Sequence, residues 1–497
     1  MTIFKKSYVF LLSFFTVAAT IYGCKKDAWD DHNKVISQDL SKNLLQVINE
    51  NPDLSKFSEY LEKTGYKDTL ALAKTFTVWA PDNDALKSLD QAVVNDLSQL
   101  KRFVAYHISY QTYFTSNPKP NLSVKTLDGK NIQFTKTNFE EAGISAADKY
   151  VGNGVLHIID QAGMPKLNAW EFMEESANTQ LQKAYIESLE HTEMDTTNGV
   201  VLYTDPVTKR PVYQEGTTSP VTRNYYFQRV SDLSNEDSLS TYIILDNAAF
   251  ASEQQKLKPY YTTASAEVSD SLTNWAVVKD LVISGVYTEN QLAGTMTTVT
   301  GVRIHVNKSD IVEQRKLSNG IAYVVKNLSY DLMENKIPSV LIEAEYPDSL
   351  RTPSSPLLKT KRDASGLLFK DVSVSGITSS PDPLYYFRYR TTVNSVKYKV
   401  YRRALNDLYT VPISMRVNFS YRSYFPKSAE PQLQGTGYFQ VAPIATLANP
   451  YEEVYIGQYD ASAYGSLYVF LASAATGVTS TTQTALSLDY IKLVPFN

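Results

Sequence analysis

From Leu40 to Leu72 apolar residues recur at helical spacing, with Leu44, Val47 and Ile48 on one face and Phe57, Tyr60 and Leu61 on another, which predicts helices. The pattern then changes to an extended run, Phe76 to Ala80. It is closed by Pro81 and Asp82-Asn83, whose short side chains can accept bonds from the free amides of a following helix. Helical spacing resumes at Leu86, Leu89, Val93 and Leu97. It returns at Leu100, Phe103, Val104, His107 and Ile108, so Tyr106-His107 straddles the edge of an apolar stripe. Shorter strand-like runs follow: "LDGKNIQF" (Leu127 to Phe134) turns at Asp128-Gly129, and "VGNGVLHIID" (Val151 to Asp160) sets Asn153-Gly154 before a strand.

The same order is then repeated. "FTVWAPDNDAL" (Phe76 to Leu86) returns 164 residues later as "STYIILDNAAF" (Ser240 to Phe250), with threonine, Asp-Asn and alanine at the same offsets. "NWAVVKDLVISG" (Asn274 to Gly285) stands where the Tyr-His helix stood, "VTGVRIHV" (Val299 to Val306) answers "LDGKNIQF", and "LSNGIAYVVKN" (Leu317 to Asn327) answers "VGNGVLHIIDQ". Phe76 to Gly154 spans 78 residues and Ser240 to Gly320 spans 80. Four matching segments over nearly equal spans imply a duplicated domain. The second copy carries an insertion, "GVVLYTDPVTKRPVY" (Gly199 to Tyr213), which reads as a hairpin around Asp205-Pro206.

Lys336 to Pro338 marks a boundary, after which the pattern is short tyrosine-rich strands broken by Pro, Gly and Ser. About eight strands with no helix predict a two-sheet sandwich. The expected fold class is therefore multidomain: two α+β domains, 35–165 and 166–335, followed by an all-β sandwich, 338–497.

The amino terminus is a processing signal. Lys5 and Lys6 precede an apolar run from Tyr8 to Ile21 that is too short for a good membrane span and ends in "IYGC", Ile21 to Cys24. Cys24 is the single cysteine, so disulfides and thiolate metal clusters within one chain are excluded. Over 497 residues, 48 basic and 52 acidic side chains give a net charge of −4, which offers no electrostatic basis for binding nucleic acid. Tyrosine, at 35 residues, is abundant enough to furnish recognition surfaces as well as strand interiors.

"IYGC" resembles the lipobox of bacterial lipoproteins, and "KKDAWDD" after it resembles the surface-export signal of Bacteroidota lipoproteins. The resemblance implies a signal peptide over 1–23, a tether over 24–34, lipidation of Cys24, and an outer-membrane lipoprotein facing the extracellular side, held by lipid alone. "FTVWAPDNDAL", "YHIS" and "NGVLHIID" are similar to the signatures of fasciclin-type domains, whose fold is a mixed β-wedge with helices on one side. That family implies extracellular adhesion and nominates Tyr106 and His107; the bland reading of His107 is a buried neutral imidazole with a backbone partner. In the second copy Leu245 replaces the proline, Tyr323 replaces His157 and Asp280-Leu281 replaces Tyr106-His107.

"IEAEYP" (Ile342 to Pro347) and "LDYIKLVP" (Leu488 to Pro495) look like the first and last strands of carbohydrate-binding modules with a galactose-binding-type jelly roll. That resemblance nominates Glu343, Glu345 and Asp489 for a structural calcium, against solvated edge carboxylates holding no ion. It also nominates Tyr385, Tyr386, Tyr421 and Tyr424 for glycan stacking. No other cofactor is implied. Five histidines, with no nucleophile elbow, phosphate loop or zinc helix, argue against an enzyme. The expected role is binding of extracellular glycan or matrix protein; the alternative is an accessory subunit docked on an outer-membrane glycan-uptake transporter.

Overall fold

The computed structural model describes residues 40–116, 122–379, 385–425, 437–475, 477–479 and 483–497. The leader, the tether and Cys24 lie outside the described residues. The chain divides into two compact units, one ending at Leu167 and one running from Asn168 to Asn497.

In the first unit, strands β1 (Phe76–Pro81), β2 (Ile108–Tyr110), β3 (Leu122–Lys125), β4 (Asn131–Phe134), β5 (Asn138–Phe139), β6 (Ala142–Val151) and β7 (Gly154–Ile159) form one sheet. Its order is β2-β1-β7-β6-β5-β4-β3, with β1 and β7 parallel. Helices Leu44–Glu50, Ser55–Thr64 and Leu97–Tyr106 bury Leu44, Ile48, Phe57, Leu61, Phe103 and Val104 against Val78 and Leu156. A second cluster holds Trp79, Tyr106, Phe134, Phe139 and Ile159. The helical run expected to continue through Leu97 is instead broken twice. Asp90 accepts from the Ala92 amide and Asp96 from those of Ser98 and Gln99, so each carboxylate caps a new helix and Leu97 is left exposed.

The second unit opens with helix Ala169–Glu175, capped by the reciprocal Asn168–Glu171 pair. Two antiparallel pairs follow: β8 (Glu190–Asp195) with the later β11 (Ser219–Asn224), and between them β9 (Val201–Thr204) with β10 (Pro211–Tyr213). Then come β12 (Ser240–Leu245), helices Asn247–Leu257 and Ala266–Val278, β13 (Val282–Ser284), β14 (Met296–Thr297), β15 (Arg303–Ile304), β16 (Ile311–Leu317) and β17 (Gly320–Val325). The sheet order is β13-β12-β17-β16, and β12 and β17 are parallel.

Hydrogen bonds repeat between the two copies residue for residue. The Phe76 amide donates to Asn153 O at 3.0 Å and the Ser240 amide to Asn319 O at 3.1 Å. Thr77 Oγ1 accepts from the Tyr113 amide, and Thr241 Oγ1 from the Tyr287 amide, both at 2.9 Å. Asp82 and Asp246 each accept from the amide three residues on, at 2.7 Å. Gly154 (φ +155°) and Gly320 (φ +142°) stand where a Cβ would lie 2.0 Å from Phe76 O and 1.8 Å from Ser240 O. At both positions any side chain would collide with the parallel neighbour strand.

The remaining strands are β18 (Val340–Glu343), β19 (Ser349–Arg351), β20 (Leu357–Arg362), β21 (Leu368–Ser375), β22 (Tyr386–Val393), β23 (Lys397–Arg403), β24 (Ile413–Ser420), β25 (Tyr438–Val441), β26 (Val454–Asp460), β27 (Gly465–Ser473), β28 (Ala485–Leu488) and β29 (Tyr490–Phe496). They form sheets β18-β29-β23-β26, β19-β22-β27-β24-β25 and β20-β21-β28. This exceeds the eight or so strands expected. β20, "LLKTKR", has no buried face to announce it, and the closing run splits at Asp489, whose amide donates to Arg403 O and whose carbonyl accepts from Ala344. Within this unit the sandwich touches the helical side of the preceding sheet. Ser395 N donates to Tyr260 O at 3.0 Å, Ser395 Oγ to Pro259 O at 2.7 Å, and Tyr464 packs on Tyr261 at 5.2 Å.

Candidate functional site

The strongest surface for recognition is the outer face of the sheet β19-β22-β27-β24-β25. One side of it is core: Phe387, Tyr389, Leu467, Val469, Leu471, Met415, Val417 and Phe419 are fully buried. Because side chains alternate along a strand, the register sends the intervening residues to the other side. Arg388 pairs with Phe470, Arg390 with Tyr468, and Arg416 with Ala472 and Tyr438, while Arg351 pairs with Tyr386. Tyr468 lies between two guanidiniums, 5.2 Å from Arg388 and 5.9 Å from Arg390. Tyr386, Phe425 and Phe470 make an aromatic floor with centroids 5.3 to 6.4 Å apart, and Arg416 covers Phe425 at 5.2 Å. Arg388 is braced by Asp348 at 2.6 and 2.8 Å. Besides Tyr468, Arg390 hydrogen-bonds the neutral hydroxyl of Ser466, at 3.1 and 3.3 Å.

The four tyrosines nominated from sequence divide here. Tyr386 is half-buried in the aromatic floor and Tyr424 is exposed beside Arg422. Tyr385 is half-buried just before β22. Tyr421 is structural, its hydroxyl donating to Ala463 O at 3.0 Å and accepting from the Ala463 amide at 3.1 Å. Tyr438, Tyr468 and the arginines were missed. The signal that could have found the arginines is their place among apolar residues at every second position, "FRYR" in β22 and "MRV" in β24.

The three carboxylates nominated for calcium are brought together. Glu343, Glu345 and Asp489 line a recess of about 410 Å³ with Thr360, Leu368, Phe369, Lys370, Arg403 and Tyr490. Calcium needs six to eight converging oxygens. Among the described residues no three acidic, histidine or cysteine side chains converge in that way. Arg403 occupies the charge-balancing position instead, with Nε 2.9 Å from Asp489 Oδ2 and its guanidinium 4.1 Å from the Phe369 centroid. As placed, the carboxylates nominated for calcium fit an internal guanidinium. That pair is a charge contact without an aligned hydrogen bond, since neither Arg403 Nε nor Asp489 Oδ2 has a hydrogen-bond partner. Burial, opposed by Arg403 and reinforced by Glu343, Glu345 and Asp371, pushes the Asp489 carboxyl up to about 7. Glu343 is raised by burial and by Glu345.

Tyr106 and His107, nominated for adhesion, are both inside the first unit at 2% and 0% exposure. The expectation that they meet a partner is corrected, because the helix Leu97–Tyr106 turns them inward. His107 Nδ1 donates to Phe103 O at 2.8 Å, and the ring is enclosed by Phe57, Phe103 and Phe139. Burial, only partly offset by that carbonyl, pulls its pKa down to about 4. In the second copy Asp280 takes the place of Tyr106 and is likewise buried. It binds Lys336 Nζ at 2.6 Å and Lys279 Nζ at 2.9 Å. Burial would raise its pKa, but the two lysines outweigh it and hold the carboxyl below its usual range.

Residues 52–165 match the model of the fasciclin domain family. The chain is similar to human periostin, 24% identical over 134 residues, which is 25% of this chain and 16% of periostin. It is also similar to protein sll1483 of Synechocystis sp. (strain ATCC 27184 / PCC 6803 / Kazusa), 26% identical over 150 residues, which is 28% of this chain and 83% of that protein. Among solved structures, the FAS1 domain pair of the insect cell adhesion molecule Fasciclin I is matched over 57% of this chain and 98% of its own, at 16% identity and a TM-score of 0.23. The C-terminal CBM6 of LamC, a marine laminarinase from Zobellia galactanivorans, is matched over 32% of this chain and 99% of its own, at 14% identity and a TM-score of 0.21.

Proposed function

We propose that this chain is a non-catalytic surface lipoprotein of the outer membrane, tethered at Cys24, whose terminal sandwich holds an extracellular glycan. The fasciclin-domain match at 52–165 supports an adhesion or binding role. The glycan reading is carried by one observation, the outer face of β19-β22-β27-β24-β25. There Tyr468, Tyr386 and Tyr438 lie among serine, asparagine, glutamine and arginine side chains on the sheet. Aromatic rings with hydrogen-bond donors around them suit a sugar ring, whose C–H face stacks while its hydroxyls bond. At about 4.8 Å between strands, five strands offer a surface roughly 20 Å across, room for several saccharide units. The test is a glycan array probed with the full chain and with a Tyr438→Ala/Tyr468→Ala variant. Binding lost in the variant, with the melting temperature kept, supports the site; binding unchanged rejects it.

A second reading is favoured by the inserted hairpin. Val201, Leu202 and Tyr203 on β9 are 52 to 60% exposed, and Val207 at the turn is 87% exposed. An exposed apolar strand is a template for pairing with another chain, and an outer-membrane transporter is the partner that reading names. Deletion of 199–213 should release the lipoprotein from such a complex on a native gel. A complex that survives the deletion rejects this role.

A further inference from the structure

The five strands of the proposed glycan face contain four arginines, Arg351, Arg388, Arg390 and Arg416, and no aspartate, glutamate or lysine. The register puts all four on the outer side. This is a local excess of positive charge in a chain whose net charge is −4. Asp348, just before β19, balances Arg388. Among the described residues no carboxylate balances Arg390, which meets the Ser466 hydroxyl. Arginine rather than lysine at every cationic position matters, because a planar guanidinium pairs bidentately with carboxylate and sulfate and also stacks on aromatic faces. Two of the guanidiniums already lie against Tyr468.

Resting on the glycan reading, we infer that the face takes an anionic polysaccharide, one bearing carboxylate or sulfate groups at intervals along its length. Tyr386, Tyr438 and Tyr468, each at least partly exposed, receive the sugar faces above the buried Phe470. Arg390 receives the acidic substituents, while Arg388 is held in place by Asp348. Charge complementarity chooses this occupant: a neutral glycan would leave the Arg390 guanidinium desolvated without an opposite charge, which costs binding energy.

The experiment is titration calorimetry of the full chain with polygalacturonate, its fully methyl-esterified form, dextran sulfate and dextran, at 50 and 500 mM NaCl. Polygalacturonate or dextran sulfate should bind at least tenfold more tightly than its neutral counterpart and lose that advantage at high salt, and which of the two binds separates a carboxylate from a sulfate ligand. Arg390→Gln should remove the advantage, while Lys397→Gln on the other sheet should not. Equal, salt-insensitive binding of charged and neutral polymers overturns the charge inference and leaves the glycan reading standing. Binding of none of the four overturns both. Equal binding of double-stranded DNA of matched charge density, with no loss in a Tyr386→Ala variant, reduces the face to a nonspecific cation patch and also overturns the inference.

Discussion

Replacing Gly154 by alanine tests the parallel pairing on which the first sheet is built. The new Cβ would sit 2.0 Å from Phe76 O and 2.9 Å from Leu44 Cδ1, while φ at +155° is itself strained for an L side chain. Normal separation requires β7 to retreat from β1 by more than 1 Å. That movement stretches the bonds from the Phe76 amide to Asn153 O and from the Leu44 amide to Asn153 Oδ1, now 3.0 and 2.8 Å. The backbone strain is worth about 1–3 kcal/mol and the overpacking another 1–3 kcal/mol or so. The expected loss is therefore about 2–6 kcal/mol, a large part of the roughly 5–15 kcal/mol that stabilises a typical domain. Gly129→Ala is the control: φ is +86°, but nothing lies within 4 Å of its Cβ. It should lose only about 1 kcal/mol, the conformational part. Hydrogen-exchange mass spectrometry of the peptide spanning β1, followed against urea, reads both. With a slope of about 1–3 kcal/mol per molar, Gly154→Ala should lower the midpoint by at least about 0.7 M. Equal shifts for the two variants would refute the steric reasoning.

Three further outcomes follow from the buried polar groups. His107 titrates near 4 when folded and near 6.5 when unfolded, so the first unit should lose up to about 3 kcal/mol as pH falls from 6.5 to 4; His107→Gln should flatten that slope in urea melts. Asp489 runs the other way: with its folded pKa raised to about 7 above the unfolded value near 4, its contribution to stability is lost as pH rises from 4 to 7. Asp489→Asn should remove that slope, Arg403→Met should cost about 3 kcal/mol at pH 8 and less at pH 5, and millimolar calcium should leave the wild-type melt unchanged. Ser395→Ala strands Pro259 O and the Thr262 amide; a loss of about 1–2 kcal/mol should appear in calorimetry as the sandwich melting apart from the sheet before it.

The duplication was legible in the sequence because its determinants are local and chemically narrow. Asp82 and Asp246 must cap, and Gly154 and Gly320 admit no Cβ, so each copy keeps the same letters at the same offsets. Strand alternation likewise announced a β-rich end to the chain, and the acid-bearing ends of its first and last strands lie in one recess. Which side of a stripe faces inward is decided by packing between elements distant in sequence. Tyr106-His107 looked like an edge from its helix alone, yet Phe57 and Phe139, about 50 and 30 residues away, enclose it. Arg403, on β23, comes to Asp489 only because β29 pairs beside β23. The arginine face arises in the same way: four side chains from three strands share one side through register, a property of pairing that no single strand encodes.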